Sequence, residues 1–215
     1  MHVFIEYPVL PEGEHMGKAK ICKNAGMLLA RLAYARASMN IHKSIQEGLK
    51  APEREVLEAA YAFWVVTMDN CIFRALMELA KAYEDRHDNS GLKKLINQVE
   101  QAKLGDDVME LVRNARKRYD EISDIREKLC ALRDHGLAHA DKYYLANPGK
   151  LLSNFHLKLN EIETLLNTAM DICNSFLDKL TGIENAFVSG LNDDASGIIK
   201  ELVYAKVERE KHCRI

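Results

Sequence analysis

Proline and glycine are scarce in this chain, and their scarcity argues against a fold of many short strands. Only 4 of the 215 residues are proline and 11 are glycine, so long stretches lack the residues that usually end helices and form turns. Strand-rich domains need turn residues at short intervals. The sequence therefore predicts an all-α fold, a bundle of four to six helices with an extended N-terminal arm.

The chain also lacks paired cysteines and long apolar runs. Its 5 cysteines are odd in number and widely spaced, which favours reduced, core-filling thiols over a disulfide framework. No stretch of 18 or more apolar residues occurs, and the N-terminus has no basic segment leading into an apolar run. We therefore expect a cytoplasmic protein that does not engage a membrane.

Charge of either sign is not in excess. The chain has 30 lysines and arginines against 32 acidic residues, a net charge of −2, so its overall field does not indicate nucleic-acid binding and any contact with RNA must be local. One basic cluster is interleaved with acids, which usually indicates a solvated face of salt bridges; a stripe that follows a phosphate backbone is the alternative. The cluster comprises Arg113, Arg116, Lys117, Arg118, Arg126 and Lys128.

Apolar residues recur at intervals of three and four through most of the sequence, which predicts a single helical domain over residues 1–215. Pro8 and Pro11 forbid a stable helix in the N-terminal arm, residues 1–17. The tail, residues 208–215, is expected to fray. The predicted helices cover residues 18–49, 53–84, 92–102, 108–132 and 151–180, with a last helix that reaches about residue 207.

The densest chemistry lies between Leu129 and Asp141, around one glycine. On an unbroken helix Arg133 and His139, six positions apart, would point to faces roughly 120° apart. Gly136 tolerates backbone conformations closed to other residues, so a kink or break there would let the two side chains converge. The polar residues of this stretch are Arg133, Asp134, His135, His139 and Asp141.

This stretch resembles the signature of the HEPN superfamily, in which an arginine, often followed by a polar residue, precedes a histidine by four to six residues. Here the motif is Arg133, Asp134 and then His139, and the run from Ala138 to Asp141 is most similar to the abortive-infection, AbiU2-like branch. The stretch from Ala62 to Ala80 also resembles that branch's long second helix. The resemblance implies a metal-independent ribonuclease or related phage-defence toxin that acts on RNA as a homodimer, with an antitoxin or another regulatory protein as a further partner.

The resemblance assigns catalytic roles to Arg133, His139 and Asp134. Histidine titrates near neutral pH and can transfer a proton, whereas an always-charged arginine can hold two phosphate oxygens. Supporting roles are expected for His135 and Asp141 beside the motif. Asp69 in the second helix either hydrogen-bonds to a neighbouring helix or faces the Arg133/His139 pair. Tyr143 and Tyr144 either stack on a base or pack at a helix end.

Other kinds of site have little support. His135, His139 and Asp141 could ligate a metal, but a zinc site needs a defined shell of three or four ligands. The sequence has no matching His-x-x-x-His or cysteine pair elsewhere. Glu84 and His87 have the spacing of di-iron ligands without the partner motif that such a site needs. No phosphate-binding Gly-rich loop occurs. We therefore expect no metal and no cofactor, and the alternative to a ribonuclease is a non-catalytic helical module that binds a nucleotide, RNA or a partner protein.

Overall fold

All regular structure in the described part of the chain is helical. The computed structural model describes residues 16–50, 54–84, 91–137, 156–182 and 194–212. In these residues there are eight α-helices, where four to six were predicted, and one π-helical turn. The helices are α1 (Met16–Gly48), α2 (Arg54–Glu58), α3 (Tyr61–Tyr83), α4 (Leu92–Ala102), α5 (Asp106–Glu121), α6 (Ser123–Leu132), α7 (Leu159–Thr181) and α8 (Asp194–His212).

The number of helices differs because two predicted helices are each divided. The predicted helix 53–84 is α2 and α3, with a turn at Ala59 and Ala60, and the predicted helix 108–132 is α5 and α6, separated at Ile122. Neither division contains glycine or proline. Leu57 and Ile122 are buried beside the two breaks, so packing rather than local propensity accounts for them.

The ends of the last two helices also differ from the prediction. Residues 156–158 are not helical, so α7 begins at Leu159 rather than near residue 151. At this start, Glu161 accepts a hydrogen bond of 2.7 Å from the backbone N–H of Lys158. Such a contact satisfies one of the free donors at a helix start. Helix α8 continues to His212, beyond the end predicted near residue 207, and the fraying expected of residues 208–215 stays a prediction. The predicted arm lies outside the described residues, except that Met16 and Gly17 belong to α1.

The described residues group into two compact units, and the prediction of one domain stays a prediction. The first unit takes residues 16–33, 76–84, 91–137 and 156–182. Its core is made of leucine, isoleucine and aromatic side chains from six helices. Fully or almost fully buried members are Leu28, Leu32, Leu79, Tyr83, Leu92, Ile96, Leu129, Leu165, Leu166 and Phe176.

The second unit takes residues 34–50, 54–75 and 194–212. Its small core joins α1, α2 and α8 through Ile45, Leu57 and Ile199, against which Trp64 and Met68 of α3 pack. A Cβ atom added at Gly48 would lie 2.9 Å from the Leu57 side chain, so the end of α1 approaches α2 closely. An ion pair between Lys206 and Glu55, 2.6 Å long, also joins α8 to α2.

Two of the three borders between the units fall within helices, and the third, between Phe187 and Val188, lies outside the described residues. The chain passes from the first unit to the second between Ala33 and Tyr34 of α1, and returns between Ala75 and Leu76 of α3. Among the residues that the structure describes, no helix has the length and apolar character to cross a membrane.

Candidate functional site

The α-helical geometry of α6 ends where the Arg133 motif begins. From Arg133 to Leu137 the chain forms a π-helical turn that includes Gly136. A π turn is a rare local widening of a helix, and such turns occur frequently at functional sites. The chain therefore departs from regular α-helical geometry at Gly136. Because Ala138–Ala140 lie outside the described residues, the predicted kink or break and the convergence of Arg133 and His139 stay predictions.

Arg133 is buried and ion-paired to two carboxylates. Its residue exposure is 8%. Its Nε and Nη2 groups donate hydrogen bonds of 2.8 and 2.6 Å to Oδ1 of Asp134. On the other side, Nη1 lies 2.9 Å from Oε1 of Glu84. The guanidinium is thus held between one acid from its own π turn and one from the end of α3.

The surroundings of Arg133 favour its charged form. Burial lowers the pKa of the guanidinium, but the hydrogen bonds and negative charge of Asp134, together with the charge of Glu84, outweigh burial and raise this pKa above its ordinary value. Arg133 therefore carries a permanent positive charge. Counting one guanidinium and two carboxylates, the formal charge of the cluster is −1.

Contacts of Tyr83 and Gly91 fix the backbone at Glu84. Tyr83, the last residue of α3, donates a buried hydrogen bond of 2.6 Å from its hydroxyl to the backbone oxygen of Leu165 in α7. Gly91, which precedes α4, lies so near that an added Cβ would be 2.6 Å from the backbone oxygen of Glu84. Only glycine allows this close approach. The Glu84 side chain is itself 11% exposed, so it has little freedom to turn away from Arg133.

Sequence reasoning missed the role of Glu84. It was considered only as a di-iron ligand, because 49 positions separate it from Arg133 in the sequence. The signal that could have found it is its place at the end of the long apolar helix, since a carboxylate there must be solvated or paired. The other acid, Asp134, was predicted, and the structure brings it to Arg133.

The roles expected of the remaining site residues stay predictions. His135 is in the π turn, and its side chain is exposed. Asp69 was expected either to hydrogen-bond to a neighbouring helix or to face the Arg133/His139 pair; it is exposed on α3, and its role stays a prediction. A surface carboxylate is solvated by water and needs no buried partner. His139, Asp141, Tyr143 and Tyr144 lie outside the described residues.

Most of the basic cluster on α5 and α6 is engaged in ion pairs. The pairs are Arg116 with Glu100, Lys117 with Glu121, Arg118 with Asp171 and Lys128 with Glu161. Arg126 instead places its guanidinium carbon 3.9 Å from the centre of the Tyr119 ring. This arrangement is the face of salt bridges that the charge pattern usually indicates, and the stripe that follows a phosphate backbone stays the alternative.

No group of three or more metal-binding side chains occurs among the described residues. His139 and Asp141, two of the three ligands considered from the sequence, lie outside those residues. The expectation that the site holds no metal therefore stays a prediction.

Comparison with known proteins identifies a family for most of the chain. The family model HEPN_AbiU2, described as AbiU2, matches residues 23–197. This range includes α3, the Glu84 carboxylate and the whole stretch from Arg133 to His139. Neither the curated proteins nor the solved structures gave a match.

Proposed function

Because the chain belongs to the AbiU2 branch of the HEPN superfamily, we propose that it is an abortive-infection effector that cleaves RNA without a metal. The observation that carries this proposal is the fixed guanidinium of Arg133, held at a π turn within the stretch that also contains His139. The reaction is attack of a ribose 2′-hydroxyl on the adjacent phosphorus. The bond to the 5′-oxygen breaks, leaving a 2′,3′-cyclic phosphate and a 5′-hydroxyl.

Arg133 acts as the phosphate clamp. A guanidinium has five N–H donors, and the contacts to Asp134 and Glu84 engage three of them. Two donors are then left for phosphate oxygens. Because the carboxylates already fix the orientation of Arg133, little reorganisation is needed as negative charge builds on the phosphate in the transition state.

His139 is the proton-transfer group. An imidazole that titrates near pH ~6.5 can take the proton of the 2′-hydroxyl or give one to the departing 5′-oxygen. A single motif supplies few catalytic groups, so two copies of the chain contribute to one cleft. The partners are thus RNA, a second copy of this chain, and an antitoxin or other regulator that restrains cleavage.

A non-catalytic module is the second candidate, and one observation favours it. The side chain of Arg133 is 10% exposed, and its charge is balanced by two carboxylates. Such a cluster can have a purely structural role, in which it ties the end of α6 to the end of α3. In that case the chain binds a nucleotide, RNA or a partner protein without cutting RNA.

A cleavage assay on a mixed RNA pool, with EDTA present, separates the two candidates. We expect the wild-type chain to cut and His139→Ala to lose cleavage by roughly 10²- to 10⁴-fold, the usual effect of removing a general acid or base. Arg133→Lys should also be poor, because a point charge does not replace a bidentate fork. The matched control is His135→Ala, which removes an exposed histidine of the same stretch and should have a smaller effect.

Equal cleavage by the wild type and His139→Ala would indicate a contaminating nuclease. The non-catalytic module would then become the preferred function. Binding of intact RNA by the wild-type chain would be measured next. Mass spectrometry of the products gives a second check, since the proposed chemistry requires a 2′,3′-cyclic phosphate on each upstream fragment.

A further inference from the structure

Helix α3 presents a row of large apolar side chains to solvent. Phe63, Val66 and Phe73 are 62, 58 and 47% exposed, and Asn70 lies between them and is also exposed. The opposite face of the helix is occupied, because Trp64 and Met68 pack against the core of the second unit. Exposed apolar residues that form one row usually mark an interaction surface. We call Phe63, Val66, Asn70 and Phe73 the α3 stripe.

The spacing of the α3 stripe is that of a coiled-coil seam. The steps from Phe63 to Val66, Asn70 and Phe73 are three, four and three residues, which places these side chains at heptad positions a, d, a and d. A seam of this kind is complementary to a helix with the same spacing. The most direct partner is therefore α3 of a second copy of the chain.

Asn70 indicates the register and the number of helices in such a pair. A polar asparagine at a single a position weakens a helix pair but selects one register and two strands, because its amide can hydrogen-bond to the same residue across the seam. The exposed Asn70 amide interrupts an apolar row at one such position. The stripe is thus suited to an in-register pair of identical helices.

The charges beside the α3 stripe select a parallel orientation. Asp69 occupies position g and Arg74 position e of the next heptad, and both are exposed. In a parallel pair, position g of one helix faces position e of the next heptad in its partner, so Asp69 faces the partner's Arg74 twice by symmetry. In an antiparallel pair, like positions would face each other and like charges would repel. The Arg74 guanidinium already rests 5.1 Å from the Tyr34 ring centre, which limits its freedom.

We infer that the α3 stripe is a homodimer interface, in which two α3 helices pair in parallel and in register about a twofold axis. Phe63, Val66 and Phe73 supply the apolar seam, Asn70 fixes the register, and Asp69 and Arg74 fix the direction. This pairing makes no use of Arg133 or His139. Because the proposed function also needs a second copy of the chain, the test measures association directly, so that a failure of this interface can be told apart from a failure of RNA cleavage.

Sedimentation velocity of the full chain tests the interface. We expect the wild type to dimerise and the double variant Phe63→Glu with Phe73→Glu to raise the dissociation constant at least about tenfold. The matched control is Tyr204→Glu, which changes an aromatic residue of α8 that is 65% exposed and lies outside the stripe. That variant should dimerise like the wild type, and circular dichroism should show that all three chains are helical.

Charge reversal tests the orientation. Asp69→Arg alone and Arg74→Asp alone each place like charges across a parallel pair and should weaken dimerisation, whereas the two changes together restore opposite charges and should recover it. A monomeric wild type, or a dimer that the two glutamates leave intact, would overturn the interface. Single reversals without effect, or a double reversal that fails to recover the dimer, would overturn the parallel pairing.

Discussion

At the scale of single residues, the Glu84 carboxylate should matter for both stability and cleavage. Glu84→Gln removes one of the two charges that hold the buried Arg133, and we expect a loss of about 1–3 kcal/mol in the free energy of unfolding. Cleavage should fall even at temperatures where the variant is folded, because the guanidinium loses its fixed orientation. Urea unfolding and cleavage rates measure the two effects.

The matched control for Glu84→Gln is Glu58→Gln. Glu58 also pairs with an arginine, Arg54, at 2.6 Å, but its side chain is 48% exposed and that of Arg54 is 66% exposed. Surface pairs contribute at most about 1 kcal/mol. Equal losses from the two substitutions would show that burial of the Glu84 pair has no special role.

Residue-level prediction is possible where the chemistry is local in sequence. Arg133 and Asp134 are neighbours, so side-chain type alone singles them out as site residues, and Gly136 indicates where the regular helix changes to a π turn. Glu84 could not be paired with Arg133, because nothing in the sequence states which helix ends meet. Asp69 lies among apolar residues that are typical of a packed helix face, yet several of these side chains face solvent and Asp69 is exposed at the edge of their row.

At the scale of elements, the junction between α3 and α4 should be sensitive to the size of residue 91. Gly91→Ala would place a methyl group 2.6 Å from the backbone oxygen of Glu84, so the junction must shift at a cost of about 1–3 kcal/mol. The shift moves Glu84 relative to Arg133 and should lower cleavage as well. Thermal unfolding and the cleavage rate measure both consequences.

Gly197→Ala is the control for this substitution. Gly197 is in α8, and an added Cβ would meet nothing within 4 Å, so alanine should stabilise the helix by roughly 0.5–1 kcal/mol. A stabilising or neutral Gly91→Ala would contradict the close approach that we describe between Gly91 and Glu84.

Element prediction was accurate for helical content and less accurate for helix ends. Apolar periodicity identifies helices because one face must be buried, and α1 and α4 begin and end within two residues of the prediction. The breaks at residues 59–60 and at Ile122 have no glycine or proline, so only packing could reveal them. The start of α7 was placed too early because Leu152, Phe155 and Leu159 recur at helical spacing in the sequence, whereas residues 156–158 are not helical.

At the scale of the whole molecule, stability should decline in alkaline solution. Burial raises the pKa of the Cys173 thiol, and burial also raises the pKa of the Tyr83 hydroxyl. Both groups stay protonated in the folded state while the unfolded chain ionises, from about pH 8.5 for the thiol and about pH 10 for the hydroxyl. Their contribution is complete below these values and is lost as the pH rises. One pH unit above its unfolded pKa, the thiol accounts for about 1.4 kcal/mol of lost stability.

Urea unfolding at several pH values measures this decline, and Cys173→Ala is the informative variant. Its stability is lower at neutral pH because a small cavity replaces the sulfur, but its decline between pH about 8.5 and 9.5 should be shallower than that of the wild type. Parallel curves for the two chains would contradict the assignment to Cys173.

The borders inside α1 and α3 have a consequence for how this protein can be divided. Each unit is assembled from separate stretches of chain, and the crossings at residues 33–34 and 75–76 lie within continuous helices. No single cut of the polypeptide can release either unit whole, and a protease that seeks extended, exposed backbone should find no substrate at those crossings. Neither unit could therefore be transferred to another protein as one uninterrupted gene segment.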